Sequence, residues 1–133
     1  MAIIFDDSLK TGNELIDSQH RELISRVNRL AEECHPGTEK AVAANVLGFL
    51  SDYVNKHFSD EEKLQEEKGY PLLEAHKSQH SVFVKAVKDL DDMLTEEEGP
   101  SEAFVAAVKK NVEEWIINHI MVWDKQVAQF VNI

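Results

Sequence analysis

Apolar residues recur along most of the chain at three- and four-residue intervals, the mark of helices that bury one face. In residues 17–35 the pattern runs through Leu23, Ile24, Val27, Leu30 and Ala31. Residues 39–67 carry Val46, Leu50, Tyr53, Val54, Phe58 and Leu64, and residues 71–95 carry Leu73, Phe83, Val84, Val87, Leu90 and Leu94. Residues 101–130 carry Val105, Val108, Val112, Trp115, Ile116, Ile120, Trp123 and Val127. Three clusters of helix-breaking residues separate these segments: His35-Pro36-Gly37, Gly69-Tyr70-Pro71 and Gly99-Pro100-Ser101. Asp17 and Ser101 stand where N-caps belong, and Pro71 falls near the first turn of the third segment. Short connections between long helices make neighbours antiparallel. The expected fold is therefore all-α, an up-down-up-down four-helix bundle. Residues 1–16 lack the period and are expected to form an N-terminal arm packed along the bundle, with 1–133 making one domain.

Charge narrows the partners. Fourteen Lys and Arg against 25 Asp and Glu leave a formal net charge of −11, which repels phosphate backbones and anionic lipid. Neither nucleic acid nor a membrane is expected as a partner, and no apolar run approaches the roughly 20 residues of a spanning helix. The first residues lack the basic start of a signal peptide, and a lone cysteine, Cys34, suits a reducing compartment. These features predict a soluble, cytoplasmic protein.

The histidines carry the chemistry. His20 shares the stripe of Leu23, Ile24 and Val27; His57 follows Tyr53 and Val54, with Glu61 one turn on. His76 and His80 are one turn apart in register with Leu73, Phe83 and Val84, and His119 follows Trp115 and Ile116. Asp124 continues the row of Ile116 and Ile120. Distances counted from the shared turns place these side chains at similar heights, His20 falling about four residues short of His57. Any one of them alone reads as a core histidine or, within the run Asp60-Glu61-Glu62, as part of a solvated face. Seven together do not. Each unsatisfied buried polar group costs about 1–3 kcal/mol and an unpaired charge more, against a total stability of about 5–15 kcal/mol. A multivalent cation is the natural compensation. Cys34 and His35 lie away from this locus, and Met93, Leu94 and Phe104 read as core.

Five imidazoles and two carboxylates exceed the four ligands of a tetrahedral zinc ion. Two octahedral ions accommodate them if both carboxylates bridge and an oxo or hydroxo group joins the ions, and one position then stays open. Imidazole with carboxylate suits iron, with zinc, manganese and copper also open. Mostly neutral donors, with no Glu-x-x-His spacing among them, stabilise high oxidation states poorly, so a bound small molecule is expected to be released rather than activated.

His20, His57-x-x-x-Glu61, His76-x-x-x-His80 and His119-x-x-x-x-Asp124, in that order, resemble the hemerythrin family. The likeness extends through Asp17-Ser18-Gln19-His20, His57-Phe58-Ser59-Asp60-Glu61-Glu62 and Trp115-Ile116-Ile117-Asn118-His119-Ile120. It implies a cofactor of two iron ions bridged by an oxo or hydroxo group and two carboxylates, binding dioxygen reversibly for storage, transport or delivery, without enzymatic turnover. His76, His80 and His119 would hold one iron, His20 and His57 the other, and Glu61 and Asp124 would bridge. Leu23, Phe58, Trp115, Ile116 and Ile120 would line the oxygen pocket beside the two-histidine iron. A protein acceptor of oxygen is conceivable and unidentified. Related roles are sensing of oxygen, redox state or nitric oxide, and reduction of peroxide or nitric oxide. Phe5 stands where relatives often carry tryptophan, and Trp123 is a bulky neighbour for Asp124. Residues five apart sit about 140° around an α-helix. His119 and Asp124 thus require either a widened turn or an aspartate that reaches in from the flank of the stripe.

Overall fold

The computed structural model describes residues 3–132. Three long helices come first: α1 (Glu14–Glu33), α2 (Lys40–Lys68) and α3 (Leu73–Glu96). A continuous fourth helix, α4, covers residues 102–131 and alternates α-helical with π-helical turns. Together they form an antiparallel four-helix bundle, in which α2 packs between α1 and α3 and α4 closes the barrel against α1 and α3.

The inward rows explain both the bundle and its one irregularity. On α1 the buried row is Ile16, His20, Leu23, Val27, Leu30, ending on Cys34 at the C-cap. On α2 it is Ala43, Leu47, Leu50, Val54, His57, Glu61, and on α3 His76, His80, Phe83, Val87, Leu90, Leu94. These rows step by alternating fours and threes and average 3.6 residues, the period of a regular α-helix, so one seam keeps facing a neighbour. On α4 the row is Phe104, Val108, Val112, Ile116, Ile120, Asp124, Ala128, in steps of four throughout. On an α-helix of 3.6 residues per turn such a row drifts about 40° per step, about 240° over its length. Two π segments, Val108–Glu114 and Ile120–Asp124, absorb the drift because each wider turn holds about 4.4 residues. Val84 and Val105, expected on the stripes, lie outside these rows and are 42% and 37% exposed.

Local chemistry fixes the ends. Ser101 caps α4 as its position predicts, its hydroxyl accepting from the Phe104 N–H at 3.1 Å. Asp17 does not cap α1. The helix starts earlier, capped by Asn13, whose side chain accepts from the Ile16 N–H at 3.1 Å. Asp17 is buried in the first turns and accepts from the Thr11 N–H (2.9 Å), the Thr11 hydroxyl (2.7 Å) and the Gly12 N–H (3.3 Å). It therefore ties the arm to the helix. Further along the arm, Ile3 and the Asn28 amide exchange two hydrogen bonds (2.7 and 2.8 Å), Leu9 is buried in the core and Phe5 lies under Arg21. At the other end, Gly69 takes φ +68° and α2 closes in a Schellman motif. Tyr70 N–H donates to the Gln65 carbonyl (2.9 Å) and Gly69 N–H to that of Glu66 (3.2 Å). Gly99 is required by space, since a Cβ there would sit 2.7 Å from the Thr38 carbonyl oxygen where two loops meet. Among the described residues no helix is long and apolar enough to cross a membrane.

Asp17→Ala leaves the bundle intact but removes three hydrogen bonds to a buried carboxylate, so the expected loss is about 1–3 kcal/mol. Hydrogen exchange of the Thr11 and Gly12 amides should quicken with it; unchanged exchange and an unchanged melting temperature would contradict the role given to Asp17.

Candidate metal centre

The seven donors occupy inward positions that elsewhere in the rows hold leucine, valine or phenylalanine. α1 contributes His20, α2 His57 and Glu61, α3 His76 and His80, and α4 His119 and Asp124, and all seven are buried. His20 and His57 meet at one height, their ring centroids 5.0 Å apart. Their unequal distances from the first turn are taken up by the connection between Glu33 and Lys40.

The carboxylates organise the set. Glu61 Oε1 lies 2.9 Å from His76 Nε2 and 3.1 Å from His80 Nε2, while Oε2 faces His57 Nε2 at 3.7 Å. Asp124 Oδ1 lies 3.0 Å from His76 Nε2 and 3.1 Å from His119 Nε2, while Oδ2 lies 2.8 Å from His20 Nε2. Each carboxylate thus turns one oxygen to each side. The donor atoms form two groups: Glu61, His76, His80, His119 and Asp124 in one, and His20, His57, Glu61 and Asp124 in the other, with both carboxylates shared. Asp124 reaches this position because the π turn Ile120–Asp124 brings it to the side of His119. Of the two routes open to it, the widened turn is the one taken.

Hydrogen bonds behind the rings select which nitrogen faces inward. His57 Nδ1–H donates to Gln19 Oε1 (2.8 Å), and the Gln19 amide in turn donates to Asp60 (2.8 Å). His80 Nδ1–H donates to the Glu62 carboxylate (2.7 Å). A ring that donates through Nδ1 keeps its Nε2 lone pair free for a metal, and a carboxylate partner also makes the ring more basic. Glu62, expected on a solvated face, is instead partly buried through this contact. Gln19 and Glu62 lie in stretches that carry the family likeness, but the sequence assigned neither a role, since their partners lie on other helices.

Charge in the set is balanced without comfort. Burial holds His57 down to about 4. Burial also works against a charge on His76, but hydrogen bonds and charges from Asp124 and Glu61 prevail and raise it to about 9. Burial opposes ionisation of Asp124, yet the charges of His119 and His20 close beside it hold it well below the carboxylate range. Even so, Nε2 of His20, His57 and His80 and all four carboxylate oxygens lack an aligned hydrogen-bond partner. His76 Nε2 and His119 Nε2 face each other at 3.0 Å, where one proton serves two lone pairs. Nitrogen and oxygen donors converging on two points, with too few protein protons to satisfy them, fit metal ions of the type that take imidazole and carboxylate.

Aromatic and aliphatic side chains close the centre. Phe58 stacks on His80 with centroids 3.7 Å apart and Trp115 on His119 at 4.4 Å. Leu23, Phe58, Ile116 and Ile120 are buried in the same core, and Trp115 is partly so. Trp123 stands edge-on to His76 at 5.7 Å, on the wall and not between donors.

The family model of the hemerythrin HHE cation binding domain matches residues 11–131. Bacteriohemerythrin of Stenotrophomonas maltophilia is 33% identical over 130 residues, covering 98% of this chain and 82% of that protein. Myohemerythrin of Theromyzon tessulatum is 28% identical over 116 residues, covering 87% and 82%. A crystal structure of wild-type hemerythrin superposes with a TM-score of 0.82 at 27% identity, covering 99% of this chain and 100% of that one.

Ferrous iron added anaerobically to metal-free protein should raise the melting temperature sharply. Free metal at a thousand times its dissociation constant contributes about 4 kcal/mol. An unmoved transition would show that the buried donors do not take metal.

Proposed function

Because this chain belongs to the hemerythrin family, we propose that its donor set holds two iron ions and that the protein binds dioxygen reversibly, as a store or carrier. The observation that carries this reading is the sharing of Glu61 and Asp124 between two donor groups, each carboxylate turning one oxygen to each. In this reading His76, His80 and His119 hold one ion, His20 and His57 the other, and Glu61 and Asp124 bridge. The side with two imidazoles would be one donor short, which would leave a place for dioxygen. When bound, the iron pair would supply the electrons for holding dioxygen and giving it back.

The protein's own part is to hold, orient and keep dry. Gln19 and Glu62 fix the rings of His57 and His80 so that Nε2 points inward. Phe58 and Trp115, stacked on His80 and His119, hold the ring planes and shield them from water. Leu23, Ile116 and Ile120 add aliphatic wall. Excluding water slows proton delivery, and with it irreversible oxidation of the centre. None of these five lining side chains carries an acid that could feed protons to a bound ligand. That favours release over turnover, and hence a carrier rather than a catalyst. We place it in the cytoplasm, where the thiol of Cys34, pushed up to about 11 by burial, stays reduced.

Anaerobic titration with oxygen, followed by visible absorption, tests the reading. One dioxygen per iron pair, recovered on removing oxygen, is expected; repeated consumption without a stable oxygenated form would identify a catalyst. Leu23→Asn should leave iron content unchanged and speed loss of the oxygenated form at least several-fold by wetting the pocket. An unaltered rate would place the lining elsewhere.

A further inference from the structure

One turn beyond the donors, towards the end of the bundle that Tyr70 covers, lies a single layer of buried side chains. Each is reached by stepping four residues along a row: Ile16 before His20 on α1, Ala128 after Asp124 on α4, and Gln65 after Glu61 on α2. Two are apolar. Gln65 is not, and it is 0% exposed with neither its amide nitrogen nor its amide oxygen hydrogen-bonded. A fully buried amide with both ends unpaired is a cost the fold carries for no evident local return. A cluster of Ile16, Tyr70, Val127 and Ala128, with Leu64 and Phe130 against it, packs at this end of the bundle.

Direction decides what the amide serves. Helical Cα–Cβ bonds tilt towards the N-terminus, so a long side chain lies over the turn that precedes it. For Gln65 that turn carries Glu61, whose own oxygens have no aligned hydrogen-bond donor. The Gln65 backbone is fixed at this level by the Schellman closure, its carbonyl accepting from the Tyr70 N–H at 2.9 Å. Glu61 Oε1 lies 2.9 Å from His76 Nε2 and 3.1 Å from His80 Nε2. With those nitrogens given to metal, the outer lone pairs of the carboxylate are left without a donor.

We propose that Gln65 is a positioning residue of the metal centre, its amide N–H held in reserve for the Glu61 carboxylate in the metal-loaded protein. This rests on the metal-centre reading above. A hydrogen bond to the outer lone pair of a metal-bound carboxylate orients it and draws charge away from the ions, which favours their lower oxidation state.

The test compares the unsubstituted chain with Gln65→Met, which keeps the volume and removes the donor, and with Gln65→Leu as a second apolar variant. Visible absorption on titration with Co2+ should show binding weakened about tenfold or more in both variants. The metal-free variants should melt higher than the unsubstituted protein, because an unpaired buried amide has gone. The reduction potential of the iron-loaded pair should fall. Equal Co2+ affinity and equal potential would overturn the proposal. So would a lower metal-free melting temperature, which would mean that the amide already has a partner without metal. Failure of the unsubstituted chain to bind Co2+ would overturn the metal-centre reading itself, and this inference with it.

Discussion

Two carboxylates and five imidazoles are kept out of water at the middle of a bundle only 133 residues long, and the rest of the structure answers to that constraint. A buried unpaired charge costs several kcal/mol, and a domain has about 5–15 kcal/mol in all. Protons shared between histidines and carboxylates offset part of the cost, as the 2.8–3.1 Å contacts of His20, His76 and His119 with Asp124 show. They do not satisfy the geometry, because lone pairs converge on two points where no donor stands. What favours metal is therefore not the number of ligands alone. It is that the bundle holds all seven side chains at buried, inward positions.

The bundle achieves this through a mismatch of periods. α1, α2 and α3 bury rows with a mean step of 3.6 residues, while α4 buries one with a step of four. An unbroken α-helix could not present Val108, Ile116 and Asp124 to the same neighbours. The two π segments make the rows commensurate, and the second sets Asp124 beside His119. Such segments sit commonly at functional sites because an extra residue re-aims the side chains after it. Here the first segment aligns the apolar half of the row and the second the donor half.

Much of this was legible in the sequence because it depends on spacing. Helical period, Gly and Pro punctuation and the Ser101 cap predicted four helices, and the in-register histidines with Glu61 and Asp124 predicted one locus. The five-residue gap from His119 to Asp124, which a regular helix cannot bridge, required either a widened turn or an aspartate reaching in from the flank, and the first is found. The four-residue step of Val108, Val112, Ile116 and Ile120 carried the signal for the first π segment as well, though only the gap from His119 to Asp124 pointed to one. Less legible were features that depend on contacts between helices. Gln19 behind His57 and Glu62 behind His80 have no mark in their own segments, and Glu62 is indistinguishable from its acidic neighbours until α3 is in place. Asp17 satisfies every local rule for an N-cap. Its carboxylate is instead engaged by the incoming arm, whose path has no period to reveal it.

The central claim is that these seven side chains hold two ions between them. A crystal structure of the iron-loaded protein, with anomalous differences collected at the iron edge, measures this directly. Two peaks per chain are expected, one against His76, His80 and His119 and one against His20 and His57, with Glu61 and Asp124 touching both. A single peak, or iron found only on the acidic surface, would contradict it.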